Sequence, residues 1–263
     1  MTFIIENWNL FQCIGSPMDQ FEIRSLLNLS ILDGSFNLTL TSAGFYLILV
    51  AVILYVISYV AITGEKLAST NWSLSLESMY DTILNIVSSQ INGRSGQIYF
   101  PFIFTVFSFI LINNLVGLVP YNLATTSQFV LTFALSFTVV LGATILGFEK
   151  HGLKFFSLLV PAGCPLALLP LLVLIEFISY SARCVSLGLR LGANITSGHL
   201  LLNILSTFVY KIMSSNMIFF ILGLLPLALI IAFSGLELMI AVIQAQVFVV
   251  LASSYIKDGL DLH

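Results

Sequence analysis

The chain has 263 residues, of which 59% are hydrophobic and only 8% charged, with a mean hydropathy of +1.06, whereas a soluble domain carries roughly 25% charged residues. The apolar runs are long and lack the short alternating segments of an outer-membrane barrel, so the composition indicates an all-α polytopic membrane protein. A formal net charge of -3 offers no basic surface for nucleic acid, and Cys13, Cys164 and Cys184 have the spacing of neither a metal site nor a disulfide framework.

The first residues, MTFIIENWNLFQCIGS, hold Glu6 and no basic residue. They match neither a secretory signal nor an arginine-rich transit peptide, and a short leader or a membrane-surface segment both stay open. Residues 16–37 mix Asp19, Glu22, Arg24 and Asp33 with apolar residues and read as surface, so 1–39 is set apart from a single membrane domain over 40–263. The first span is expected over 40–62, ended by Thr63 and Gly64 before Glu65 and Lys66. Over 72–91, Trp72, Leu76, Met79, Tyr80, Ile83, Ile86 and Val87 recur at helical spacing with Glu77, Asp81 and Asn85 elsewhere. That pattern predicts an amphipathic helix in the membrane interface.

A two-helix hairpin follows over 99–148, with Asn113 and Asn114 in its first helix and Pro120 closing it. These two amides and Gln246 read as hydrogen bonders between helices. The uncharged link PYNLATTSQ contrasts with Glu149 to Lys154, which holds Lys150, His151 and Lys154. Basic links favour the cytoplasmic or matrix side, which puts this link and the one at Lys66 inside and the N-terminus outside.

The last hundred residues break the pattern. After VPAGCPLALLP the chain runs from Pro170 to Tyr210 without another proline, and a second long run, Met217 to Ile256, is interrupted only by Pro226. A continuous helix over the first run would be roughly 60 Å long, about twice the hydrocarbon thickness. Two short spans with a break near Gly192 to Gly198, or one steeply inclined helix, are the competing readings; average tilt favours the former.

The first run carries a fixed charge. Arg190 stays protonated and costs at least about 2.5 to 3.5 kcal/mol to place at the centre of a bilayer, so it needs a purpose. At about 100° per residue, Glu176, Arg183, Arg190 and Asn194 share one face, with Gly188, Gly192 and His199 roughly opposite. The two glycines let another helix approach closely. Glu176 and Arg190 lie about 20 Å apart along the axis, too far to pair, whereas Arg183 either snorkels or pairs with Glu176. In the second run Glu237, Gln244, Leu251, Tyr255 and Asp258 fall on one face. An antiparallel hairpin would bring Glu237 within a few turns of Arg190 and His199, and a carboxylate, an imidazole and amides at membrane depth are the parts of a proton relay. A packing role for His199 and a solvated end position for Asp258 remain the plainer readings.

The stretch SLGLRLGANITSGHLL resembles the signature of the subunit a family of the rotary ATP synthase, in its mitochondrial, fungal-like form. SPMDQFEIR, INNLVGLVPY, LGFEKHGLKFFSLLVPAGCPLALLPLLVLIE and ASSYIKDGLDLH extend the similarity over residues 16–263, leaving 1–15 to correspond to a leader that some members lose. The resemblance implies that 165–257 forms a steeply inclined two-helix hairpin against a ring of c subunits, alongside peripheral-stalk and other membrane subunits. It implies that Arg190 faces the ring's carboxylates, that His199 and Glu237 line an outer half-channel and Glu176, Tyr255 and Asp258 a matrix-side one, and that Asn194 and Gln244 flank the arginine. The implied setting is the mitochondrial inner membrane, with the N-terminus in the intermembrane space and the C-terminus in the matrix. Protons and water are then the transported species, no cofactor is involved, and the chain is a stator rather than an enzyme. Arg190 would keep each passing ring carboxylate ionised and deny protons a straight path, and a proton crossing 100 mV yields roughly 2.3 kcal/mol for rotation.

The alternative, a proton-coupled secondary transporter, calls for an inverted repeat and broken helices around a midplane site, and neither is evident. A membrane metalloenzyme is disfavoured because His151, His199 and His263 lie on separate segments without ligand spacing.

Overall fold

A computed structural model describes residues 18–31, 36–63, 71–91, 94–119, 122–159, 168–214 and 217–260. The leader-like residues 1–15, the Glu65–Lys66 link, Cys13, Cys164 and the proline-spaced residues 160–167 lie outside the described residues.

The chain opens with a 3₁₀ turn, Asp19–Phe21, and an antiparallel hairpin of β1 (Ser25–Ile31) and β2 (Phe36–Thr41), in which Leu29 pairs with Leu38 and a bulge falls between Ser25 and Leu27. The surface character read for 16–37 therefore takes the form of a β-hairpin. Helices α1 (Ser42–Thr63), α2 (Asn71–Gln90), α3 (Arg94–Gly117) and α4 (Phe129–His151) follow. The expected bounds are 40–62 for the first span, 72–91 for the amphipathic helix and 99–148 for the two-helix hairpin, and α3 begins ahead of its expected start, at Arg94. Of these, α2 is not long and apolar enough to span; it buries Ile83 and Val87 while Glu77, Asp81 and Asn85 remain exposed.

The first long run is one helix. α5 spans Leu169–Met213, 45 residues, without interruption at Gly192 or Gly198. The two-span alternative does not hold, because glycine weakens a helix only mildly and neither position turns the chain. At 1.5 Å per residue α5 is about 68 Å long, so a bilayer with a hydrocarbon core near 30 Å must take it at an incline or leave part of it outside.

The second long run is α6 (Met217–Leu222) and α7 (Leu224–Leu260). The interruption falls at Gly223 rather than at Pro226. Pro226 lies in the first turn of α7, where a missing N–H leaves no helical bond unmade, and Leu227 N–H donates to Gly223 O across the junction at 3.2 Å. Five helices, α1, α3, α4, α5 and α7 with part of α6, are long and apolar enough to cross a membrane among the described residues.

α4 and α7 pack on the middle of α5, and α2 and α3 pack on α7, in one core that includes Ile83, Ile103, Ile110, Leu187, Leu191, Phe248 and Val249. Between apolar helices in lipid, close packing and hydrogen bonds hold the contact rather than water exclusion. The sequence supplies both. A Cβ on Gly188 would lie 3.0 Å from Phe133 Cδ1, and one on Gly192 would lie 3.0 Å from Phe129 Cδ1, so the glycine face of α5 is the one against which α4 packs. Ser136 Oγ on α4 donates to Cys184 O on α5, and Asn114 Nδ2 on α3 donates to Ala241 O on α7 at 3.1 Å. Asn113 Oδ1 accepts from Thr125 Oγ1, which anchors the link between α3 and α4. Both asparagines thus bond between segments, as their apolar surroundings predict. Lys150 Nζ and His151 Nε2 each lie 2.9 Å from Leu260 O and cap the C-terminal end of α7.

Candidate functional site

α5 and α7 run antiparallel, and their polar side chains meet in three places. Arg183 lies 3.2 Å from Asp258 on α7 and 3.7 Å from Glu176 two turns back on its own helix. Further along α5, Asn194 Nδ2 donates to Gln244 Oε1 at 3.0 Å. Beyond that, His199 Nδ1 lies 3.8 Å from Glu237 Oε1. Positions rise on α5 from 183 through 194 to 199 as they fall on α7 from 258 through 244 to 237, which fixes the antiparallel sense.

The sequence-predicted residues divide between these places. Glu176 and Asp258 are gathered by Arg183, and Tyr255 stands within electrostatic reach of Arg183, Arg190 and Asp258. Tyr180 adjoins the same group, since Arg183, Asp258 and Tyr255 all act on it. Nothing in the sequence marks Tyr180 beyond its place one turn from Glu176. The choice left open for Arg183 resolves to pairing, and with two carboxylates rather than one.

Glu237, 4% exposed and 3.8 Å from His199, lines a cleft of about 360 Å³ together with Asn194, Gly198, Phe233 and Gln244. Glu237 Oε1 and Oε2, His199 Nε2 and Gln244 Nε2 are buried without a hydrogen-bond partner among the described residues. Buried polar atoms of this kind are ordinarily met by water, and a separation of 3.8 Å exceeds a direct hydrogen bond.

Arg190 differs from all of these. Its side chain is exposed beside a shallow groove formed by Ala182, Val185, Ser186, Leu189 and Ala193, and it has no hydrogen-bond or ion-pair partner among the described residues. Glu176 lies about 21 Å away along the helix axis in one direction and His199 about 14 Å in the other. Among the described residues no carboxylate lies within ion-pair distance of Arg190. Glu237 reaches His199 and not Arg190.

Fold and site together define a polytopic helical membrane protein with a ladder of ionisable and amide side chains along one helix pair, broken by an outward-facing arginine. The family model described as the ATP synthase A chain matches residues 44–257. The chain is 68% identical over 255 residues to ATP synthase subunit a of Neurospora crassa, covering 97% of each chain. It is 62% identical over 264 residues to that of Podospora anserina, covering 100% of both, and 62% identical over 255 residues to that of Emericella nidulans, covering 96% of this chain and 99% of the relative. The chain belongs to the ATP synthase subunit a family, and is a non-catalytic subunit of the proton-translocating membrane sector.

Proposed function

We propose that the chain carries protons to and from a ring of c subunits through two offset half-channels, with Arg190 between them as the stator charge. His199 and Glu237 serve the outer half-channel, and Glu176, Tyr255 and Asp258 the matrix-side one. Asn194 and Gln244 flank the arginine. The observation that carries this reading is the distribution of polar groups about Arg190: one cluster lies on each side of it along α5, and no described residue pairs with it. A guanidinium with no partner among the described residues is costly in lipid, and carboxylates brought past it by another subunit would meet that cost repeatedly. The groove beside Arg190, where Ala182, Ser186 and Ala193 are small, suits a passing helix.

The setting is the mitochondrial inner membrane, with the peripheral-stalk and other membrane subunits as further partners. The cap formed by Lys150 and His151 on Leu260 puts the basic link after α4 and the C-terminal end of α7 on one side. That arrangement supports a matrix C-terminus and, with it, an N-terminus in the intermembrane space.

The half-channel roles are tested in the assembled complex reconstituted into vesicles. His199→Ala and Glu237→Gln should each lower proton flux by about tenfold or more, the scale of a lost proton-transfer group, with the ring still attached. Undiminished flux in either variant removes that residue from the path.

A further inference from the structure

We infer that Gly198 is a positioning residue for proton transfer at Glu237, acting by the side chain it lacks. This rests on the outer half-channel role proposed for Glu237.

A Cβ built on Gly198 would lie 2.7 Å from Glu237 Oε1, 3.0 Å from its carboxyl carbon and 3.3 Å from its Cγ. Of the helical glycines in α5, Gly188 and Gly192 face α4, whereas the three atoms nearest a Cβ on Gly198 all belong to the Glu237 side chain. Alanine would serve the helix better than glycine at this position, so helix formation does not explain the residue. The missing side chain leaves the space in which the Glu237 carboxylate lies against α5, 3.8 Å from His199 Nδ1 and in the lining of the cleft. The colliding atoms are the far end of a flexible side chain. A methyl group at 198 would therefore be accommodated by rotation of Glu237 about its own bonds, with α5, α7 and their packing unchanged, and the carboxylate would leave its place opposite His199.

The specific prediction concerns the two positions together. Aspartate is one methylene shorter than glutamate, so its carboxylate is drawn back from α5 by about 1.5 Å, out of reach of a methyl at 198. Gly198→Ala should reduce proton flux in the reconstituted complex about tenfold, on the scale of a misplaced reacting group, with subunit assembly and ring retention at wild-type levels. Glu237→Asp should lower flux by itself, because its carboxylate stands further from His199. In the Glu237→Asp background, Gly198→Ala should cost less than about twofold, since the collision it creates is gone. Wild-type flux in Gly198→Ala overturns the proposal. So does a Gly198→Ala penalty as large in the Glu237→Asp background as in the wild type, and so does failure of Gly198→Ala to assemble, because each shows that 198 acts on something other than the carboxylate. Glu237→Gln is the control that separates the two layers: if it leaves flux unchanged, the role of Glu237 falls and not merely that of its neighbour.

Discussion

Arg183 and Arg190 stand two turns apart on one face of α5, and their surroundings set them to different tasks. Arg183 lies between Glu176 and Asp258 and ties the first third of α5 to the end of α7. Its side chain is 37% exposed, so the tie is worth roughly 1 kcal/mol rather than the several of a fully buried pair. Arg183→Gln should lower the stability of the detergent-extracted complex by about that amount in thermal unfolding. Arg183→Lys should recover part of it, since lysine keeps the charge but not the planar fork that serves two carboxylates. An unchanged midpoint in Arg183→Gln would mean the cluster holds nothing together. The sequence made the pairing with Glu176 visible, because residues seven apart share a helix face. Asp258 lies 75 residues further on, and no periodicity announces which turn of α7 will face which turn of α5. Gly198 reads in the sequence only as one end of a possible helix break, because the side chain opposite it is not yet known.

At the level of elements, α5 carries the main departure from average geometry. Its apolar length alone suggested two spans, because most spanning helices need only about 20 residues. The resemblance to a known family pointed the other way, and the uninterrupted helix over Leu169–Met213 agrees with it. Spin labels introduced at Leu171 and Tyr210, both exposed, should give a separation of about 58 Å in the assembled complex. A distance near 30 Å or below would restore the folded-back pair of spans. The spans α1, α3 and α4 were legible because length and hydropathy suffice to define them. The hairpin of β1 and β2 was not anticipated, although Phe36, Leu38 and Leu40 alternate with Asn37, Thr39 and Thr41 after the Asp33-Gly34 pair. In a chain so rich in long apolar runs, that short alternation reads as a surface segment until its partner strand is seen.

Across the whole molecule, the ladder of polar groups takes its sense from the antiparallel packing of α5 on α7. The helix pair brings residues from two distant runs into three contacts in order, with Arg183 and Asp258 toward one end, Asn194 and Gln244 between, and His199 and Glu237 toward the other. Arg190 falls between the two ionisable clusters and has no partner among the described residues. On the proposed reading, that one charge both prevents a continuous proton path and engages each carboxylate of the ring in turn. The most direct test replaces Arg190 by alanine in the reconstituted complex and measures passive proton leak and proton-driven ATP synthesis in the same vesicles. Loss of synthesis together with leak at or above the wild-type level is the predicted result; synthesis at the wild-type rate would contradict the account.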